Sequence, residues 1–172
     1  MACGLIALTV LLLASAIQAA NPANINVTVT VQNLSVSASG PIAFGTVTAG
    51  SSTVASDSSH VVNDGNIAET YSISLTNPGG WTAVQAVPGD EEYALSVMFN
   101  SDLPLVGDFA YADHALTTSS VASSGTKFAG DQTGLSVAAS GIRYLWFKFE
   151  SPASTVVTAE QTIIITITAA AS

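Results

Sequence analysis

The stretch Phe44–Trp81, FGTVTAGSSTVASDSSHVVNDGNIAETYSISLTNPGGW, decides the fold. Near its end, Tyr71, Ile73 and Leu75 alternate with Ser72, Ser74 and Thr76. Period-two alternation of this kind marks a half-buried β-strand. Asn77-Pro78-Gly79-Gly80 stops the strand, because proline removes a ladder donor and glycine admits turn conformations, and Trp81 is expected to plug one end of the core. Further back, Gly45 and Gly50 bracket Thr46–Ala49, and Ser51–Ser59 reads as a loop by composition. Val61 and Val62 resume a strand, and Asn63-Asp64-Gly65-Asn66 reads as a hairpin turn into the next one.

The same alternation extends outward in both directions. Ile25, Val27, Val29 and Val31 lie on one side of a predicted half-buried strand, with Asn26, Thr28 and Thr30 on the other. Leu34, Val36 and Ala38 repeat the pattern after a shift of phase at Gln32-Asn33, where a bulge or a change of sheet is expected. Ser39-Gly40-Pro41 turns the chain, and Ile42 and Phe44 open another short strand. Beyond Trp81, Pro88-Gly89-Asp90 reads as a turn and Leu95, Val97 and Phe99 as a strand. Ser101–Ser140 keeps no period and is expected to be a long excursion with one or two short strands. In Ile142–Phe149, Tyr144, Trp146 and Lys148 face away from Leu145, Phe147 and Phe149. Glu160–Ala169 closes the domain, with Ile163, Ile165 and Ile167 on one face. With turn signals every roughly 8–15 residues and about 8–10 short strands, the expectation is an all-β, antiparallel sandwich.

The N-terminal residues 1–19 read as a secretory signal peptide. Leu5–Ala16 is an apolar run of h-region length, well short of the roughly 20 residues that cross a bilayer. Cleavage is expected after Ala16 or Ala19, with Ala19 preferred. Cys3 precedes the apolar run, so it is not placed as a lipoprotein acylation site, and the mature part keeps no cysteine for a disulfide. The expected organisation is therefore a signal at 1–19, an N-terminal strand at 20–32 and one domain at 33–172. The mature protein is expected outside the cytoplasm, secreted or at the cell surface, with no membrane insertion.

Charged residues make up 9% of the chain, against roughly 25% in ordinary soluble domains. Twelve acidic residues face three basic ones, Lys127, Arg143 and Lys148, which excludes a phosphate-binding patch for nucleic acid. Anionic lipid is disfavoured for the same reason. The surface must be built from Ser, Thr, Asn and Gly, which hydrogen-bond without repelling and favour close packing of one copy on another.

The arrangement Phe44-Gly45…Gly50…Asn63-Asp64-Gly65-Asn66, together with Leu145-Trp146-Phe147-Lys148-Phe149…Gln161-Thr162-Ile163, resembles immunoglobulin-like domains of bacterial surface and filament proteins. The resemblance covers about two thirds of the mature chain by the spacing of its turn glycines and strand residues. It implies an immunoglobulin-like β-sandwich and extracellular use, and it carries over no active site.

Candidate chemistry is sparse. His60 and His114 are the two histidines, and an Asp113-His114 pair amid serines is not by itself a triad, whose geometry comes from the fold. Gly134-Leu135-Ser136-Val137-Ala138 lacks the second glycine of a nucleophile elbow. Asp90-Glu91-Glu92, or Asp102, Asp108 and Asp113, supply carboxylates but no evident cleft for a glycosidase. Calcium would look to Asp64 or to Asp90–Glu92, neither of which matches an established loop motif. Tyr144 and Trp146 share a strand face and could form a sugar-stacking platform, although alternating aromatics more often pack in a core. No cofactor is expected.

Both ends of the mature chain, Asn26–Val31 and Thr162–Thr168, are strongly β-prone and nearly uncharged. As open edges they would be aggregation hazards, so they pair internally or with another copy. The expectation is a non-enzymatic structural protein, a subunit of a filament, pilus-like fibre or surface coat that assembles with copies of itself by β-strand addition through Ile25, Val27, Val29 and Val31. The alternative is a monomeric secreted binding module for a carbohydrate or a surface protein, with a small hydrolase as a distant third.

Overall fold

The computed structural model describes residues 24–172, so the expected signal peptide at 1–19 lies outside the described residues. The chain divides into two units, 1–30 and 31–172. Of the first, residues 24–30 are described; they have no regular structure and are exposed. The second is all-β in character, with 34% of the described residues in strands and 5% in helix.

Among the described residues, nine strands form two sheets. They are β1 (Val36–Ala38), β2 (Ser52–Val54), β3 (Ser59–Asn63), β4 (Glu69–Thr76), β5 (Thr82–Ala83), β6 (Glu92–Phe99), β7 (Val121–Ala122), β8 (Ile142–Glu150) and β9 (Ile164–Ala171). The larger sheet runs β1-β3-β8-β6-β5, with β2 also on β8, and the smaller runs β7-β4-β9. β8 organises the larger sheet. Its first half pairs β3 (Ser59 with Leu145), its second half pairs β2 (Val54 with Lys148), and its other edge pairs β6 along Ala94–Phe99.

Two expectations are corrected here. Asn63-Asp64-Gly65-Asn66 is not a hairpin: β3 belongs to the larger sheet and β4 to the smaller, so the turn crosses between sheets. An Asx turn holds it, with Asn63 Oδ1 accepting from the Gly65 amide (2.8 Å) while its Nδ2 donates to Ile67 O and Val137 O (both 2.8 Å). Ser51–Ser59 is not all loop, because Ser52–Val54 is recruited by the distant end of β8. The antiparallel expectation holds for the long ladders but not for the two-residue β5, which runs parallel to β6.

The core lies between the sheets. Tyr71, Ile73 and Leu75 of β4 face Leu95, Val97, Phe99, Leu145, Phe147 and Phe149 of β6 and β8, all buried. β6 is buried on both faces because the excursion after it folds over the outer side of the sheet. There Met98, Phe109 and Trp146 pack together, beside the helical turn α1 (Tyr111–His114). Lys148 Nζ pairs with Glu150 Oε1 at 2.7 Å, the Tyr111 hydroxyl donates to Glu150 Oε2 at 2.7 Å, and the ammonium lies 5.8 Å and 5.3 Å from the Phe109 and Tyr111 ring centres. An ion pair in such surroundings survives because every partner is placed to satisfy it, and removing one partner strands the other.

Two predictions follow from this packing. Lys148→Ala leaves the largely buried Glu150 carboxylate with only the Tyr111 hydroxyl as partner and is expected to cost up to about 3 kcal/mol in urea unfolding. Burial, then the Glu69 charge, pushes the Tyr71 phenol up to about 12, and burial alone does the same for Tyr93. Burial and the Glu150 hydrogen bond push Tyr111 up to about 12. Phenols raised from 10.0 to about 12 by folding stabilise the protein fully below pH 10, and that contribution is lost as pH rises through the window to 12. Urea midpoints measured across that window should fall together with the delayed appearance of tyrosinate absorbance.

Candidate functional site

β9 is paired along one edge only. Its ladder with β4 runs from Glu69–Ala171 to Thr76–Ile164, and among the described residues no strand pairs its other edge. The inward residues Ile163, Ile165, Ile167 and Ala169 belong to the core cluster yet are only partly buried. A groove of about 1110 Å³ opens beside Ile163, Ile165 and Ile167, lined by apolar side chains together with Ser, Thr, Glu and Gln residues. That is above the usual range of roughly 300–1,000 Å³ for small-molecule pockets. Val36, Ile42, Phe44 and Val47 form the facing wall, Leu95, Phe147 and Phe149 the floor, and Trp81 lies toward one end.

The facing wall is built locally. Ile42 and Phe44 alternate inward as the sequence predicts, but they form no strand in this chain. Ser39 anchors the start of the wall: its amide donates to His60 O (3.0 Å), and its Oγ accepts from the His60 amide (2.8 Å). Gly45 and Gly50 take φ of +64° and +68°, which lets the wall bend back to meet β2.

At the Trp81 end, the indole stacks on Phe149 with ring centres 6.1 Å apart, and Nε1 donates to Thr155 Oγ1 at 3.0 Å. Gly80 packs closely there: a Cβ would meet the Val157 side chain at 2.6 Å, so the loop carrying Val157 would have to shift.

The carboxylates considered for calcium hold this end together. Asp90 accepts from Ser154 Oγ (2.6 Å), Glu91 from Thr155 Oγ1 (2.7 Å) and the Val156 amide (2.6 Å), and Glu92 from the Gly89 amide (2.8 Å). Among the described residues no three His, Cys, Asp or Glu side chains converge as metal ligands.

The remaining candidates are dispersed. Trp146 is buried against Met98 and Phe109, its Nε1 donating to Asn100 O at 2.9 Å, while Tyr144 is partly buried with His60 edge-on to its ring at 4.8 Å. Tyr144 and Trp146 therefore do not present a joint open face. His114 is buried, its Nδ1 accepting from the Ala110 amide (2.9 Å), which leaves Nε2 to donate to Ala129 O (3.1 Å). Ser136 takes a left-handed φ of +47° and its amide donates to Thr70 Oγ1, so the serine sits in a loop contact, with no histidine among its partners.

The N-terminal segment is placed differently from its sequence reading. Residues 24–35 form no strand, and the residues read as a half-buried face are open: Ile25 is 86% exposed, Val27 87%, Val29 85% and Val31 75%. The alternation is present, but among the described residues no strand pairs with it; Asn66 bonds its last residue, Val31. The groove itself has no compact motif in the sequence, because its walls come from segments more than a hundred residues apart.

No protein-family model, curated protein or solved structure matches this chain.

A peptide of residues 24–32, added to the chain 33–172, is expected to alter the emission of Trp81 and raise unfolding stability by about 2–3 kcal/mol at a hundredfold excess over Kd. Ile165→Asp should remove both effects. An unchanged spectrum and midpoint at saturating peptide would deny the groove this ligand.

Proposed function

We propose that this protein is an exported, non-enzymatic structural subunit of a filament, pilus-like fibre or surface coat, assembling by β-strand addition between copies. In this reading the two sheets form an immunoglobulin-like β-sandwich with one strand position, beside β9, left to a neighbour. Residues Ile25–Val31 of one copy enter the groove of the next, their four apolar side chains completing its core. Their backbone extends the β7-β4-β9 sheet.

One observation carries the reading: an open groove runs along Ile163, Ile165 and Ile167 at the start of β9, and the chain bears an exposed, alternating apolar segment at Ile25–Val31. Burying four Val or Ile side chains contributes roughly 6–12 kcal/mol. Association costs on the order of 4–15 kcal/mol, so side chains alone roughly break even and the added ladder hydrogen bonds decide the outcome. A donor and an acceptor at different places on one subunit make a heterologous contact, which grows an open filament unless the rotation closes a ring.

Residues 20–172 in solution should give large assemblies by mass measurement and fibres by negative-stain microscopy. Deleting 20–32, or introducing Val27→Asp with Val29→Asp, should leave compact monomers. A wild-type chain that stays monomeric across a wide concentration range would overturn the proposal.

A further inference from the structure

We infer that the turn Asn63–Asn66 clamps the root of the N-terminal segment so that the segment fills a second copy's groove instead of its own. The inference rests on the strand-addition reading above and concerns which groove is filled.

Four residues, Gln32–Ser35, separate Val31 from the first groove residue, Val36. Hairpin loops of roughly 2–5 residues are common, so length alone would let the segment turn back into its own groove. A short tether also gives an effective concentration in the millimolar range, far above that of a second copy in dilute solution. Without a countermeasure, self-filling would win and assembly would stop.

The countermeasure is five hydrogen bonds. The Asn33 amide donates to Asn66 Oδ1 (2.8 Å), and Asn66 Nδ2 donates to Val31 O (2.8 Å). The Asn66 amide donates to Asn33 O (3.1 Å), and the Asp64 amide donates to Ser35 O (2.8 Å). The Ser35 amide donates to Glu69 Oε1 (2.8 Å). These bonds continue the line of β1, where Val36 lies opposite Asn63, so residues 33–35 run on along 64–66, past the Val36 end of the groove. A reversal within Gln32–Ser35 would break them.

Asn63 is fully buried and holds the turn from inside. Gly65 is needed because a Cβ there would collide with Asn33 O and the Glu69 carboxylate. Asn66 is exposed and spends both side-chain polar atoms on the root of the segment. An exposed asparagine with that commitment contributes nothing to the core.

The test compares three mature chains starting at Ala20: wild type, Asn66→Ala, and wild type with about six Gly and Ser residues inserted between Val31 and Gln32, beyond most of the clamp. Assembled fraction is followed against concentration by sedimentation, and the thermal midpoint of the monomer is compared with that of the chain lacking 20–32. Asn66→Ala loses two of the five bonds, so the concentration for half-assembly is expected to rise about tenfold or more. Its monomers should melt above the deletion chain, as self-filled subunits would. The insertion should give the same result with the clamp residues intact, which guards against misfolding of the Asn66 variant.

If both variants assemble at the wild-type concentration while deletion of 20–32 abolishes assembly, the clamp is wrong and strand addition stands. If the deletion leaves assembly intact, strand addition itself falls and the clamp falls with it.

Discussion

A strand at the edge of a sheet leaves the core beneath its apolar face within reach of water wherever no other element covers that edge. In this protein β9 has β4 on one side only among the described residues, and its inward isoleucines are half-covered at the very end of the ladder. The remaining architecture is arranged around that constraint. The wall Ile42–Val47 stands off without pairing, and Trp81 seats on Phe149 at one end. The loop 151–157 is stapled by Asp90 and Glu91, so the rim holds its shape without a strand filling the groove. Such a rim has a thermodynamic use: an occupant need not first order the site that receives it.

The central ladders were legible because their signal is local. β4 alternates along its eight residues, and Leu95, Val97 and Phe99 of β6 and Leu145, Phe147 and Phe149 of β8 turn to the core as their period places them. The reading weakened wherever a distant partner decides the structure. Ser52–Val54 has the composition of a loop and becomes a strand only because the last third of β8 lies beside it. The aperiodic region after Phe99 covers the outer face of the sheet, and its apolar residues answer to a surface and not to a strand period. The groove was invisible for a related reason. Ile163, Ile165 and Ile167 announce an inward face, but no local pattern counts how many neighbours that strand has.

The Asn-Asp-Gly-Asn turn carries a different lesson. Its dipeptide is the commonest signal for a two-residue hairpin, yet here it joins two sheets. What the residues have in common with a hairpin is the tight turn, and what differs is the surroundings: Asn63 faces the core, and Gly65 faces a passing chain. Ile25–Val31 shows the same limit from the other side. Its alternation specifies a strand, while the identity of the partner is not contained in the segment.

The low charge of the chain has a bearing on its working conditions. Asp90, Glu91 and Glu92 are satisfied by hydroxyl and amide donors, and Lys148–Glu150 is a salt bridge shielded from solvent. Dissolved ions compete weakly for contacts of these kinds. They do screen the mutual repulsion of copies that each carry a net charge of −9. Copies of this chain therefore approach one another more readily as salinity rises, the reverse of the behaviour of assemblies joined by ion pairs.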